Sequence, residues 1–316
     1  MIKTKKEREI KPTSNGFFRN IKEHRCAYLM ILPALIAVFV FLYLPFFGII
    51  LAFKDFNIYD GIWGSPWVGF DNFKLIFNQP EMLHAIKNTL VLSLVNIFGG
   101  YPFPILLAIL VNELWSTKFK KVVQTVTYLP HFLSWVSITG LVYTMLSLEG
   151  PFNQVLASLI GEGYEAKNFL MDSNYFVPIA FWTNIWKSTG WSSVIFLAAI
   201  TGIDPALYEA AAMDGAGKLR QIWHITLPGI KTVLIIVFIM NMGSLFASNF
   251  ELVYGLQNVY TIDDTEVINT LIYRTGIQNG NYSVATAFGL SQGIITVTLI
   301  LLANFFSKKI SEVSIW

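Results

Sequence analysis

The chain has 316 residues, of which 54% are apolar or aromatic and only 13% charged, with a mean hydropathy of +0.55. That content excludes a disordered chain and argues against a soluble enzyme, because so much apolar surface finds no hiding place in water. A net charge of +2 gives no reason to expect nucleic acid, and the lone Cys26 excludes an internal disulfide and a cysteine-rich metal site.

In chain order, the first feature is a basic tail, residues 1–26, suited to anionic headgroups and equally to a bare topology signal. Six apolar stretches follow, each long enough to cross a bilayer as a helix: Ala27–Phe53, Asn88–Asn112, Val122–Leu146, Phe176–Ile200, Thr232–Tyr254 and Ser283–Phe306. Helices satisfy their own backbone groups, as lipid requires, and the stretches lack the short alternating pattern of barrel strands. The first is too long and lacks the small-residue cleavage site of a secretory signal. The fold class expected is therefore all-α, a polytopic membrane protein of six transmembrane helices, with residues 27–316 as one domain.

Orientation follows from Lys and Arg. With both termini placed in the cytoplasm, 16 of the 22 cations fall on the inner side and six outside. The outer loops are then Lys54–Lys87, with Trp63, Trp67 and an amphipathic stretch at Phe73–Phe77, the acidic Ser147–Tyr175, and Gly255–Tyr282. The only sizeable inner loop runs from about Thr201 to Lys231.

Polar groups within the spans mark candidate contacts for a solute, since their burial in lipid is costly. They are Asn96, Ser134, Trp135, Asn184, Trp186, Lys187, Asn241, Asn249, Glu251 and Gln292. Several have a structural alternative. Asn96, Asn241 and Gln292 suit bonding between helices. Trp182, Trp186 and Trp191 suit an interfacial belt. Lys187 could snorkel outward, and Glu251 could pair with Lys187 or Arg274. His24, His84, His131 and His224 lack ligand spacing, and Asp263, Asp264 and Glu266 read as a solvated acidic loop, so no metal site is expected. No nucleophile–base pair stands out.

The inner loop carries the most specific signal. Asp204-Pro205 reads as an N-cap and first helical residue, Leu207 to Met213 as a short helix, and Gly215 and Gly217 as its stop, with a second short helix from Lys218 before Pro228. Glu209-Ala210-Ala211, followed by Ala212, Met213 and Asp214, then Gly215, nine residues, and Ile225-x-Leu227-Pro228, resembles the EAA coupling motif of bacterial binding-protein-dependent ABC importer permeases. Ala52–Phe56, Trp67–Phe73, Lys118–Trp135 and Asn249–Tyr254 resemble the subgroup that takes up complex polysaccharides and oligosaccharides.

The resemblance implies the type I ABC importer permease fold and an oligosaccharide cargo moved by alternating access in a bacterial cell membrane. It implies three kinds of partner besides the bilayer: a second homologous permease, two cytoplasmic ATPase subunits that bind ATP and Mg, and an extracellular or periplasmic solute-binding protein. Glu209, Ala210, Ala211, Ala212, Asp214, Gly215, Ile225, Leu227 and Pro228 would form the ATPase-coupling loop. The sequence itself has no phosphate loop, Gly215-Ala-Gly-Lys218 failing the spacing. A non-sugar solute remains open, because other importers share the motif. An ion-coupled carrier would need mid-span carboxylates, and only Glu251 comes near.

Overall fold

The computed structural model describes residues 24–78, 80–246 and 248–311; all but residues 24–26 of the basic tail lie outside them. The described residues are helical, and the one β contact among them is an isolated bridge between Lys54 and Trp67. Two compact units divide at Ile50/Leu51.

The first unit is most of helix α1 (Arg25–Phe53), 29 residues long and apolar throughout. Its side chains from Tyr28 to Phe47 are largely exposed in the isolated chain, as a lipid-facing surface would be. In the second unit the elements are α2 (Asp71–Asn78), α3 (Pro80–Asn112), α4 (Thr117–Phe132), α5 (Trp135–Leu146), α6 (Pro151–Ile160) and α7 (Phe176–Thr201). They are followed by α8 (Pro205–Met213), α9 (Lys218–Gly229), α10 (Lys231–Met242), α11 (Phe250–Leu256), α12 (Ile268–Tyr273) and α13 (Tyr282–Ser311). Three helices are long and apolar enough to span a membrane outright, and three bent pairs bring the number to six.

Three expectations need correction. Helix α3 starts at Pro80 rather than Asn88, because Pro80 sits in the first turn where its missing N–H costs nothing, so the loop before it is shorter. The third stretch is not one helix. It stops at Phe132 and resumes at Trp135, and the run Trp135–Ile160 leaves at 99° to Thr117–Phe132. The fifth stretch stops at Met242 and resumes at Phe250.

A break inside lipid frees carbonyls that must find donors. At the first break the donor is Lys187 of α7. Its side chain is 7% exposed, and its ammonium donates to the carbonyls of Pro130 at 3.3 Å, His131 at 3.0 Å and Leu133. It also lies over the Trp135 ring, 4.9 Å from the centroid. Ser134 caps the restart, its hydroxyl accepting from the Ser137 N–H at 3.1 Å. So Lys187 neither snorkels nor stands free for a solute, and Ser134 and Trp135 belong to the same joint.

Helix α7 is the axis of this unit. Along its length it packs against α3 and α4. Gly190 permits the approach to α4: a Cβ there would fall on the Thr127 carbonyl. The inner core joins Ala108, Ile109 and Val111 of α3 to Phe196, Leu197 and Ile200 of α7. Toward the other end, α11 and Val267 close on Leu92, Phe176 and Ala180.

The segment from Gly255 to Tyr282, expected as the third outer loop, is largely folded in. Val267, Ile268 and Leu271 are buried, and Glu266, 3% exposed, forms an ion pair with Arg274. Glu266 is therefore not part of a solvated acidic cluster, and Arg274 is not the partner of Glu251, which stays exposed.

Two outcomes test this packing. Lys187→Met leaves the His131 and Leu133 carbonyls without a donor, while Pro130 keeps the Leu133 N–H; each loss costs roughly 1–3 kcal/mol, so thermal unfolding in detergent should begin several degrees below wild type. Gly190→Ala should push α7 off α4 by overpacking, costing about 1–3 kcal/mol, and lower the amount of chain recovered from membranes.

Candidate functional site

Beside the second break lies a cavity of about 430 Å³, walled by α3, α7, α10, the link from α10 to α11 and the start of α11. One stripe of α7 faces it: Asn184, Ser188 and Ser192, at successive i, i+4 positions, with Thr189 beside them. A stripe of α3 faces it with Ser93, Asn96, Gly100 and Tyr101. Asn241, Ser244, Ser248 and Asn249 complete the polar lining.

The bonding within the wall is sparse. The Asn184 amide donates to the Asn96 carbonyl oxygen at 2.9 Å, which joins α7 to α3. The Asn96 amide turns back to the Leu92 carbonyl at 2.8 Å, and the Ser188 hydroxyl to the Asn184 carbonyl at 2.6 Å. Asn249 caps α11, accepting from the Leu252 N–H at 3.1 Å. The buried hydroxyls of Thr189 and Ser248 have no hydrogen-bond partner. Apart from the Tyr101 phenol, no ionisable side chain lines the cavity. Such a wall can exchange hydrogen bonds with a neutral, hydroxyl-rich solute and offers it the half-buried Tyr101 ring.

Of the ten pathway candidates, the cavity gathers Asn96, Asn184, Asn241 and Asn249. Ser134, Trp135, Trp186, Lys187, Glu251 and Gln292 lie off it. Trp186 is 47% exposed on the outer surface of α7, and Trp182 and Trp191 are also exposed, as a belt residue would be. Gln292 is spent between helices, donating to the Asn269 side chain at 3.0 Å and the Phe246 carbonyl at 2.5 Å. Sequence reasoning missed the hydroxyls at Ser93, Ser188, Thr189, Ser192, Ser244 and Ser248. For Ser188 and Ser192 the signal was the i, i+4 stripe with Asn184.

A second surface lies on the loop after α7. Asp204 caps α8, accepting from the Ala206 N–H at 2.9 Å. Gly215 ends it in the left-handed region at φ +77°, and the Ala216 N–H reaches the Ala211 carbonyl at 2.9 Å. No residue of α8 is buried; Glu209, Ala210, Ala212 and Asp214 are exposed and Ala211 half-buried. Met213, Leu219 and Trp223 also stand out to solvent. The loop is nevertheless braced. Tyr208 and Thr226 share a hydroxyl bond at 3.0 Å, Gln221 donates to the Ala216 carbonyl, and Lys218 pairs with Glu113 at the end of α3 at 2.8 Å. Ile225 and Leu227 are half-buried, and Pro228, near the end of α9, is exposed.

His131 stacks on Trp191 with centroids 4.8 Å apart, and His224 bonds the Arg220 carbonyl. Among the described residues no group of three or more His, Cys, Asp or Glu could hold a metal.

Residues 82–312 match the family described as binding-protein-dependent transport system inner membrane component. The chain is 42% identical over 294 residues to the polygalacturonan/rhamnogalacturonan transport system permease protein YteP of Bacillus subtilis, covering 93% of this chain and 91% of that one. It is 38% identical over 293 residues to protein LplB of the same organism, covering 92% and 91%. Two solved bacterial structures share the fold. One is an ABC transporter involved in import of the acidic polysaccharide alginate, with a TM-score of 0.84, 39% identity, and 93% of this chain and 99% of that chain covered. The other is an alginate ABC transporter in complex with its alginate pentasaccharide-bound periplasmic protein, with a TM-score of 0.85, 38% identity, and 95% and 99% covered. Sequence, fold and the apolar spans agree, and the chain belongs to the family of binding-protein-dependent transport system inner membrane components: it is a multi-pass permease of the ABC importer type and not an enzyme.

Proposed function

We propose that this chain passes oligosaccharides across the membrane as one permease subunit of an ATP-driven importer. The observation that carries the reading is the mid-span cavity lined by hydroxyls and amides, in a chain whose relatives are described as transporting polygalacturonan, rhamnogalacturonan and alginate. Asn96, Asn184, Asn241 and Asn249 contact the sugar together with the serines of the same wall. A second permease of the same fold closes the cavity. A solute-binding protein delivers the sugar at the outer mouth, a reading supported by the neighbour structure with its loaded periplasmic protein.

Energy enters through the loop 201–231. Helix α8 is a braced, exposed knob with a smooth alanine face, suited to a socket on an ATPase subunit, where ATP and Mg are bound. Closure of the ATPase pair would then rotate the spans as rigid bodies through Glu209–Met213. This places the loop and both termini in the cytoplasm of a bacterium, in accord with the 16 of 22 cations on that side.

The test of the whole reading is uptake by the importer reconstituted in vesicles with its partners and sugar-loaded binding protein. Vanadate-sensitive, ATP-driven uptake of oligosaccharide is expected; uptake driven by an ion gradient without ATP would overturn it. Two variants probe the parts. The left-handed backbone at Gly215 penalises any side chain by about 1–3 kcal/mol, so Gly215→Asp should reduce uptake to roughly a tenth of wild type or less while the chain stays in the membrane. Asn184→Leu removes both a wall contact and the bond to Asn96, each worth about 1 kcal/mol, and should slow uptake several-fold without loss of chain from the membrane; unchanged uptake would remove Asn184 from the pathway.

A further inference from the structure

The link between α10 and α11 supplies three polar groups of the cavity wall, Ser244, Ser248 and Asn249, yet it has no helix of its own to hold it. Two amides hold it from outside the cavity. The Gln292 amide of α13 donates to the Phe246 carbonyl at 2.5 Å and to the Asn269 side-chain oxygen at 3.0 Å. The Asn269 amide of α12 donates in turn to the Ser248 carbonyl at 2.7 Å. Neither side chain lines the cavity. Their bonds go to backbone oxygens that a helix would have satisfied and that lipid cannot.

The two amides are themselves anchored. Helix α13 packs Ile300 against Gly243 so closely that a Cβ on the glycine would fall on the isoleucine, which leaves a close backbone approach at the start of the link. Helix α12 is tied to α3: the Ile268 N–H donates to the Thr89 hydroxyl at 2.9 Å, and the Asn88 amide to the carbonyls of Asp264 at 2.7 Å and Glu266 at 2.9 Å. Ser248 lines the cavity, is 7% exposed and has a covered hydroxyl without a partner, and its carbonyl is fixed by Asn269.

We propose that Asn269 and Gln292 are positioning residues for sugar recognition: they set where Ser248 and Asn249 stand in the cavity, and so which sugar hydroxyls the wall accepts. The inference rests on the cavity being the sugar path. Asn269 acts through the Ser248 backbone and Gln292 through Phe246 and Asn269, so neither touches the sugar. Losing either amide lets the link relax, and the wall hydroxyls lose their register with the ring.

The test compares discrimination rather than rate. The binding protein is saturated separately with β-1,4-linked galactotetraose, cellotetraose and tetragalacturonate, and uptake by the reconstituted importer is measured for each. If the wild type takes up no oligosaccharide, the proposed function itself fails. With an active wild type, Asn269→Asp and Gln292→Leu should change the ratio of rates between two sugars, or the set accepted, by ~5-fold or more, the scale of a misplaced hydrogen bond. A merely structural defect lowers all rates in proportion and leaves the ratios at the wild-type value; that result overturns the proposal. Asn269→Asp keeps the size and turns the donor facing Ser248 into an acceptor; because it also adds a negative charge, it is read on the ratio between the two neutral sugars, and it decides the matter if Gln292→Leu is not recovered in the membrane.

Discussion

Backbone carbonyls in lipid have no water to turn to, and every departure from helix must be matched by a donor from the protein. Among the described residues two spans are interrupted, and each interruption is closed by side chains from neighbouring helices. Lys187 meets three carbonyls at the end of α4, and Gln292 with Asn269 meets two between α10 and α11. The second break borders the cavity, and the clamps offset the cost of both breaks. A charge such as Lys187 at that depth would be read as functional by default, yet here its hydrogen bonds are given to the fold.

This division of labour explains why the cavity wall is uncharged. The ionisable groups in and near the spans are used elsewhere: Lys187 on backbone, Arg274 on buried Glu266, Glu113 on Lys218 at the loop. What faces the cavity is small hydroxyls and amides, several of which bond only their own helix, and two of which bond nothing. A solute that offers hydroxyls in return can bond the amides and serines of this wall, beside the half-buried ring of Tyr101.

The spans, their number and the short helix before Gly215 were legible because each is written in composition or in cap chemistry. Long apolar runs report a membrane helix regardless of what else they do, and Asp204-Pro205 and Gly215 punctuate α8 by backbone preference. The breaks were not legible, because hydropathy is blind to hydrogen bonding: Leu133-Ser134 and Gly243-Ser244 interrupt a helix without interrupting an apolar average. The available signals were Ser134 and Asn249, cap residues within apolar runs, with Pro130 just ahead of the first. The cavity was half legible. Asparagines stood out, whereas serines are ordinary in membrane helices, and only their spacing with Asn184 distinguishes the stripe on α7. Lys187 and Gln292 were singled out for the right reason, the cost of burying them, and then placed on a solute when the partner was backbone.

The central claim, that the polar face of α7 and the interrupted fifth span border an aqueous sugar path, is tested most directly by thiol accessibility. With Cys26→Ser as background, Ser188→Cys and Ser244→Cys would be exposed to a water-soluble maleimide in intact membranes beside Trp186→Cys on the outer surface of α7. The account predicts labelling at 188 and 244 and none at 186. Labelling at 186 with none at the two cavity positions would contradict it.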